Sequence, residues 1–207
     1  RGLIRGSLMH RIYGDVKSGN CYKVKLVAEQ LEIAYQWIDV DIINGDTKTS
    51  EFKAINPARK IPVLVKHDGE RLSELNAIIC YLAEGTDLLP EEKFKQAEIL
   101  QWMFFEQYMH EPYIATARFI KIYLGNPASR QDELAAKIDK GYDALHVMEQ
   151  HLSSAPFFVG GSYSIADVAL FAYTHVAEEG GFSLNAFPNI QRWINGVSAQ
   201  SRFISIG

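Results

Sequence analysis

The run Ser18-Gly19-Asn20-Cys21 holds the residue types in this 207-residue chain best suited to chemistry. It falls between a predicted strand, Met9 to Tyr13, and a predicted helix that opens at Asn20. Unpaired backbone N–H groups at a helix start favour an anion. Two cysteines at the ends of such a run would make a redox dithiol. Here the first position is Ser18, which cannot form a disulfide. Its hydroxyl can instead donate a hydrogen bond to a thiolate brought by another molecule. Lowering a thiol pKa from about 8.5 to about 6.5 requires roughly 2.7 kcal/mol of preferential anion stabilisation. One hydrogen bond to an ion supplies about 1.5–3 kcal/mol, and a helix start about 0.3–1 kcal/mol. Ser18 and the helix start therefore suffice, with Asn20 as a second donor. The plainer reading is that Ser18 and Asn20 only cap the helix. Cys21 falls on the helix itself and reads as a packed small residue rather than a nucleophile.

These residues need a scaffold, and the hydrophobic pattern supplies one. Val24, Val27, Ala28 and Leu31 lie three and four apart on one helix face. Tyr35 to Ile42 alternates as a second strand, a polar loop follows from Asn44 to Ser50, and a short helix runs to Ile55. The stretch from Asn56 to Gly85 then reads as a strand, a turn, a strand and a helix. Ile61, Val63 and Val65 share one strand face, His67-Asp68-Gly69 turns the hairpin, and Glu70 to Leu72 returns. Ser73 is the expected N-cap of a helix carrying Leu75, Ile78, Ile79 and Leu82, with Gly85 as its stop. Pro62 at the strand start has two readings: an ordinary trans proline on an edge strand, or a fixed turn with a cis bond beside a helix start. The order βαβαββα begins with a right-handed βαβ crossover and ends with a hairpin and a helix, which describes a thioredoxin-like layer.

Beyond Pro90 strand signals nearly vanish. Glu91 to Tyr123 reads as one long helix carrying Ala97, Leu100, Phe104 and Tyr108, interrupted at Pro112. After the break at Gly125-Asn126-Pro127, Ser129 is expected to cap a helix with Leu134, Ile138, Leu145 and Leu152 inward. Phe157 to Gly161 is a tight connector. Ser164 and Asp167 form a near capping box ahead of an almost wholly apolar helix, whose place is the middle of a helical domain. That makes Asp167 structural. Pro188 opens the last helix, with Ile190, Trp193, Ile194 and Val197 facing in.

The chain is 47% hydrophobic and 22% charged, and its net charge is −4. That is ordinary globular composition with no basic run, so no nucleic-acid partner is expected. No apolar run approaches a membrane span. The two cysteines, Cys21 and Cys80, are too few for a disulfide framework and suggest a reducing cytoplasm. No metal-ligand cluster stands out. Residues 1–8 are set aside as a remnant outside the fold.

Taken together, SGNCYKVKL, NPARKIPVL, LSELNAIICYL and SYSIADVALF, in that order, resemble the cytosolic glutathione S-transferase superfamily. The likeness covers Met9 to Phe203 and is nearest to bacterial members whose thiol-activating residue is serine. It implies an α/β thioredoxin-like glutathione-binding domain (βαβαββα) over 9–86, an all-α helical-bundle domain over 91–207, and a homodimer. It also implies a cis Pro62. Ser18 then matches the hydroxyl that stabilises the glutathione thiolate, with Asn20 as helper. Ile61 matches the residue whose backbone pairs with the cysteinyl unit. Lys60 and Arg59 lie where a cation meets the glycyl carboxylate, and Glu74 matches the acid that meets the γ-glutamyl amino group. One departure is Leu75, where the family usually has a serine that bonds the γ-glutamyl carboxylate. Its loss weakens glutathione binding by roughly 10- to 150-fold, the equivalent of one hydrogen bond to a charged group.

The second substrate, a small hydrophobic electrophile, is expected between the domains. Among Trp102, Phe105, Tyr108, His110, Tyr113, Arg118 and Phe119, the lining residues expected are Tyr113 and Arg118. The activity implied is glutathione transfer. The alternatives are glutathione-dependent disulfide or peroxide reduction with the same thiolate, and a non-catalytic module of this fold that binds protein partners.

Overall fold

The computed structural model describes residues 9–207. The expectation for residues 1–8 lies outside them. The described residues form two compact units, 9–82 together with Ile204–Gly207, and Ala83–Phe203.

The first unit is a four-stranded mixed sheet with three helices. Strand β1 (His10–Gly14) pairs in parallel with β2 (Tyr35–Asp39) through the helix α1 (Gly19–Gln30). After α2 (Ser50–Ile55) come β3 (Val63–Val65), β4 (Arg71–Ser73) and α3 (Leu75–Ala83). The sheet order is β2-β1-β3-β4, with β3 antiparallel to both neighbours. This is the α/β thioredoxin-like arrangement expected. Val40, Phe52, Val63 and Val65 cluster on one face of the sheet, with Tyr13, Ile55 and Ile61 packed against them. Ile12 and Leu64 are directly paired across β1 and β3, and both are buried. A sheet apolar on both faces at its centre must be covered on both.

Three local expectations need correction. Strand β2 ends at Asp39, not Ile42, because Asp41 turns the chain: its carboxylate accepts from the N–H groups of Ile43 and Asn44 at 3.0 and 2.9 Å. Ser73 does not cap α3 but ends β4. Ser129 is no cap either, since it lies in a 3₁₀ turn, Ala128–Arg130, ahead of α6 (Gln131–Leu152). The hairpin turn holds as read, with Gly69 at φ +91°, where a Cβ would be strained.

The second unit is all-helical: α4 (Lys93–Phe105), α5 (Glu111–Arg118), α6, α7 (Ile165–Thr174) and α8 (Pro188–Ser198). Between α4 and α5 the helix widens to π geometry over Glu106–His110, where Pro112 removes a backbone donor of the next turn. Helix α7 is buried along its whole length and packs against α4, α5 and α8. Its capping box is complete. The Asp167 carboxylate accepts from Ser164 N–H at 2.9 Å, Phe158 N–H at 3.1 Å and Trp193 Nε1–H at 2.8 Å. Asp167 is thus an anchor of the core, as the sequence suggests.

The apolar stripe read on the long helix faces the wrong way for a core. Leu100, Phe104 and Tyr108 are 42%, 59% and 76% exposed, and Ala97 is exposed too. The interior is served instead by Ile99, Trp102, Met103, Ile114 and Ala117. Helix α4 carries two apolar faces, and periodicity alone ranks neither above the other.

Among the described residues, no helix is long and apolar enough to cross a membrane.

Candidate active site

Register brings the predicted site together. Tyr13 in β1 pairs with Val63 in β3, and Val63 pairs with Ser73 in β4. The loop after β1, the residues before β3 and the residues after β4 therefore leave the sheet at one edge. Those three segments carry Ser18, Ile61-Pro62 and Glu74-Leu75.

The first segment is a tight turn. Gly14 ends β1 where a Cβ would lie 2.6 Å from the Trp37 ring and 3.0 Å from Cys21 Sγ, so only glycine fits. Asp15 builds the bend: its carboxylate accepts from Lys17 N–H at 2.8 Å, and its carbonyl from Ser18 N–H at 3.0 Å. Ser18 then sits as N-cap of α1, with its Oγ accepting from Cys21 N–H at a long 3.4 Å. A hydroxyl that accepts one bond keeps its own hydrogen to donate. Capping and anion stabilisation are compatible in the same residue.

The second segment is held by Asn56, which sequence reading passed over. Its Nδ2 donates to Lys60 O at 2.8 Å, and its Oδ1 accepts from Ala58 N–H at 3.1 Å. Asn56 is 3% exposed and pins the turn that leads into Ile61-Pro62. The Asn56-Pro57 dipeptide was the available signal. The Ile61–Pro62 bond is cis, and β3 is an interior strand, so the edge-strand reading of Pro62 fails. Arg59 and Lys60 are exposed on the same turn, Arg59 at φ +55°.

In the third segment Glu74 takes φ +108°, a backbone conformation that L-residues rarely adopt. Its Oε1 accepts from Asn76 N–H at 3.2 Å, so Glu74 serves the start of α3 in place of Ser73. Leu75 is 4% exposed. Its side chain contributes to the core. Its backbone N–H lies in the first turn of α3, where helical geometry offers no acceptor.

The residues predicted for the second substrate lie in the helical unit. Tyr113 is half-buried, with Lys137 Nζ 5.4 Å from its ring centroid. Arg118 is 5% exposed, and its Nε donates to Glu179 Oε2 at 2.6 Å. His110 is buried, with Nε2 2.8 Å from Thr174 Oγ1. Trp102 packs on Phe105, His151 and Phe158.

Residues 18–84 match the family model described as glutathione S-transferase, N-terminal domain, and residues 101–201 match glutathione S-transferase, C-terminal domain. A solved glutathione S-transferase from Pseudomonas fluorescens Pf-5 is 52% identical at a TM-score of 0.94, covering 95% of this chain and 98% of that one. The disulfide-bond oxidoreductase YfcG of Escherichia coli K12 is 31% identical, covering 84% of this chain and 83% of that protein. Glutathione S-transferase 2 of Anopheles gambiae is 30% identical, covering 85% of this chain and 84% of that protein.

The chain belongs to the glutathione S-transferase family.

As an enzyme of this family it is a glutathione transferase, and glutathione is its thiol substrate. The chemistry of a glutathione transferase needs a sulfur from the tripeptide rather than from the protein, and the protein's own thiols agree with that. Cys21 is fully buried, and burial pushes its thiol up to about 12, so it stays protonated and inert. Burial also raises the Cys80 thiol. The three segments at this end of the sheet present a hydroxyl at one helix start, a turn with two exposed cations, and a carboxylate at a second helix start.

Proposed function

We propose that this transferase is a serine-type member, in which Ser18 donates its hydroxyl hydrogen to the glutathione sulfur and holds it as the thiolate. The observation that carries this reading is the position of Ser18: N-cap of α1, part-buried, with Oγ already accepting from Cys21 N–H. Asn20, in the first turn of α1, supplies the second donor. The Ile61 backbone, ahead of a cis proline, pairs with the cysteinyl unit of the tripeptide, and Arg59 and Lys60 meet its glycyl carboxylate. Glu74 takes the γ-glutamyl amino group. Leu75 offers only its backbone N–H to the γ-glutamyl carboxylate. Residues 9–86 act as the glutathione-binding domain, and 91–207 as the helical domain.

The thiolate then attacks a small apolar electrophile. A carbon–sulfur bond forms, the leaving group departs with its electron pair, and no covalent bond to the protein is made. Tyr113 and Arg118 line the electrophile, Arg118 held rigid by Glu179. The role proposed is detoxification in the cytoplasm, a setting that suits two free cysteines. A homodimer is proposed on the exposed apolar stripe of Phe94, Leu100 and Phe104 on α4 and Tyr108 in the π-helical turn that follows it. Such a stripe is the kind of surface a second copy covers.

The relation to YfcG favours a second reading, in which the same thiolate reduces a glutathione-accessible disulfide. Steady-state assays of the chain with an aryl halide and with a glutathionylated disulfide separate the two. Conjugation without disulfide reduction supports the first, and the reverse result supports the second.

A further inference from the structure

Helix α1 buries a lysine that the proposed mechanism does not use. Lys23 has no exposed surface, although it sits one turn from a helix end where longer side chains commonly reach water. Its Nζ donates to Asn20 Oδ1 at 3.1 Å. The two residues are three apart on the helix, the spacing at which side chains meet.

We propose that Lys23 is a positioning residue: it fixes the orientation of the Asn20 amide so that Nδ2–H, and not Oδ1, is presented to the sulfur held by Ser18. The proposal rests on the reading of Ser18 and Asn20 given above.

An asparagine amide has two ends of nearly equal shape and opposite chemistry, an acceptor oxygen and a donor nitrogen. Turned one way, Asn20 adds a hydrogen bond to an anion at the start of α1. Turned the other way, it sets a lone pair against that anion. Backbone geometry does not choose between them. Lys23 does, because an ammonium group donates only and therefore meets Oδ1. A hydrogen bond involving a charged group biases the two orientations by at least about tenfold. With Oδ1 held by Lys23, the Nδ2 hydrogens lie on the side of the amide away from the ammonium. A methionine would fill the same volume without choosing an orientation.

The test is a cycle of four proteins: the unaltered chain, Lys23→Met, Asn20→Ala and the double variant. In each, the pKa of the bound glutathione thiol is read from the ultraviolet absorbance of the thiolate. Thermal melts are used to select folded preparations. Lys23→Met should raise the thiol pKa by up to about one pH unit. In the Asn20→Ala background the same substitution should raise it no further, because the amide through which Lys23 acts is gone. A full, additive shift in that background would show that Lys23 acts by its charge alone and would overturn the proposal. No shift in the single variant would overturn it as well.

A second measurement needs no glutathione. In the nuclear Overhauser spectrum of the free protein, the Asn20 Hδ2 pair should lack strong contacts to the Lys23 Hε protons. Strong contacts would mean the amide is turned the other way and the proposal is wrong. If the thiol titrates at its solution value in the unaltered chain, the reading of Ser18 fails by itself, and this second measurement still decides the Lys23–Asn20 pair.

Discussion

His175 lies flat on Phe171, with ring centroids 4.2 Å apart and planes 6° apart, and its Nδ1 is 2.8 Å from the Phe171 carbonyl oxygen. A carbonyl only accepts, so Nδ1 carries the hydrogen. Burial depresses the pKa of this imidazole, and Arg118 adds to the effect, while the bond to Phe171 opposes it. The unfolded chain then takes up a proton near the ordinary value of about 6.5, before the folded chain does. Stability from this residue is complete above that value and is lost as the pH falls toward the folded one. The slope is at most about 1.4 kcal/mol per pH unit. Urea titrations between about pH 7.5 and about pH 5, on either side of the ordinary value of about 6.5, should show His175→Gln losing this part of the acid sensitivity. An unchanged slope would show that other groups carry it.

Ser18→Ala should remove most conjugation while leaving the fold intact. The lost hydrogen bond to an ion is worth about 1.5–3 kcal/mol, a thiol pKa rise of about one to two units. The rate at neutral pH should fall roughly 10- to 100-fold, with most of the loss recovered at higher pH as the thiol ionises unaided. A pH–rate profile of kcat/KM checks this. An unshifted profile would remove Ser18 from the mechanism.

Leu75→Ser should tighten glutathione binding by roughly 10- to 150-fold, provided the new hydroxyl reaches the γ-glutamyl carboxylate. Leu75 is buried, so the same change should cost about 2 kcal/mol or more of stability. Calorimetric titration and a melt of the same sample read the two opposed effects. Weaker binding in the variant would show that this helix start does not meet a carboxylate.

Phe104→Glu should convert a dimer to a monomer in sedimentation velocity while preserving the melt of the helical unit. Phe104 is 59% exposed in the single chain, so a charge there costs the isolated fold little. A dimer that survives the change would put the interface elsewhere.

Much of the first unit was legible because its strands are short and cleanly alternating. Ile12, Val63 and Val65 had to be buried, and the βαβ start left only one hand for the crossover. The Ser164–Asp167 capping box was legible as well, since a cap is local chemistry. Helix α4 was not. Its two apolar faces give one pattern two solutions, and the stripe chosen from periodicity is the exposed one. Ser73 failed as a cap for a related reason: a hydroxyl at the right distance from a helix competes with a sheet ladder that the local sequence does not reveal, and the ladder took it.

The sequence by itself determined the family, the two-part architecture and the types of residue at the thiol end of the site, because those depend on local pattern and on motifs in order. Tertiary structure decided what each residue has available to offer. It turned Leu75 into the core, drove Cys21 out of reach of solvent, tied Arg118 to Glu179 and buried Lys23. Burial and hydrogen-bond partners are set by residues distant in the chain, such as Glu179 61 positions beyond Arg118, and no window of local sequence contains them.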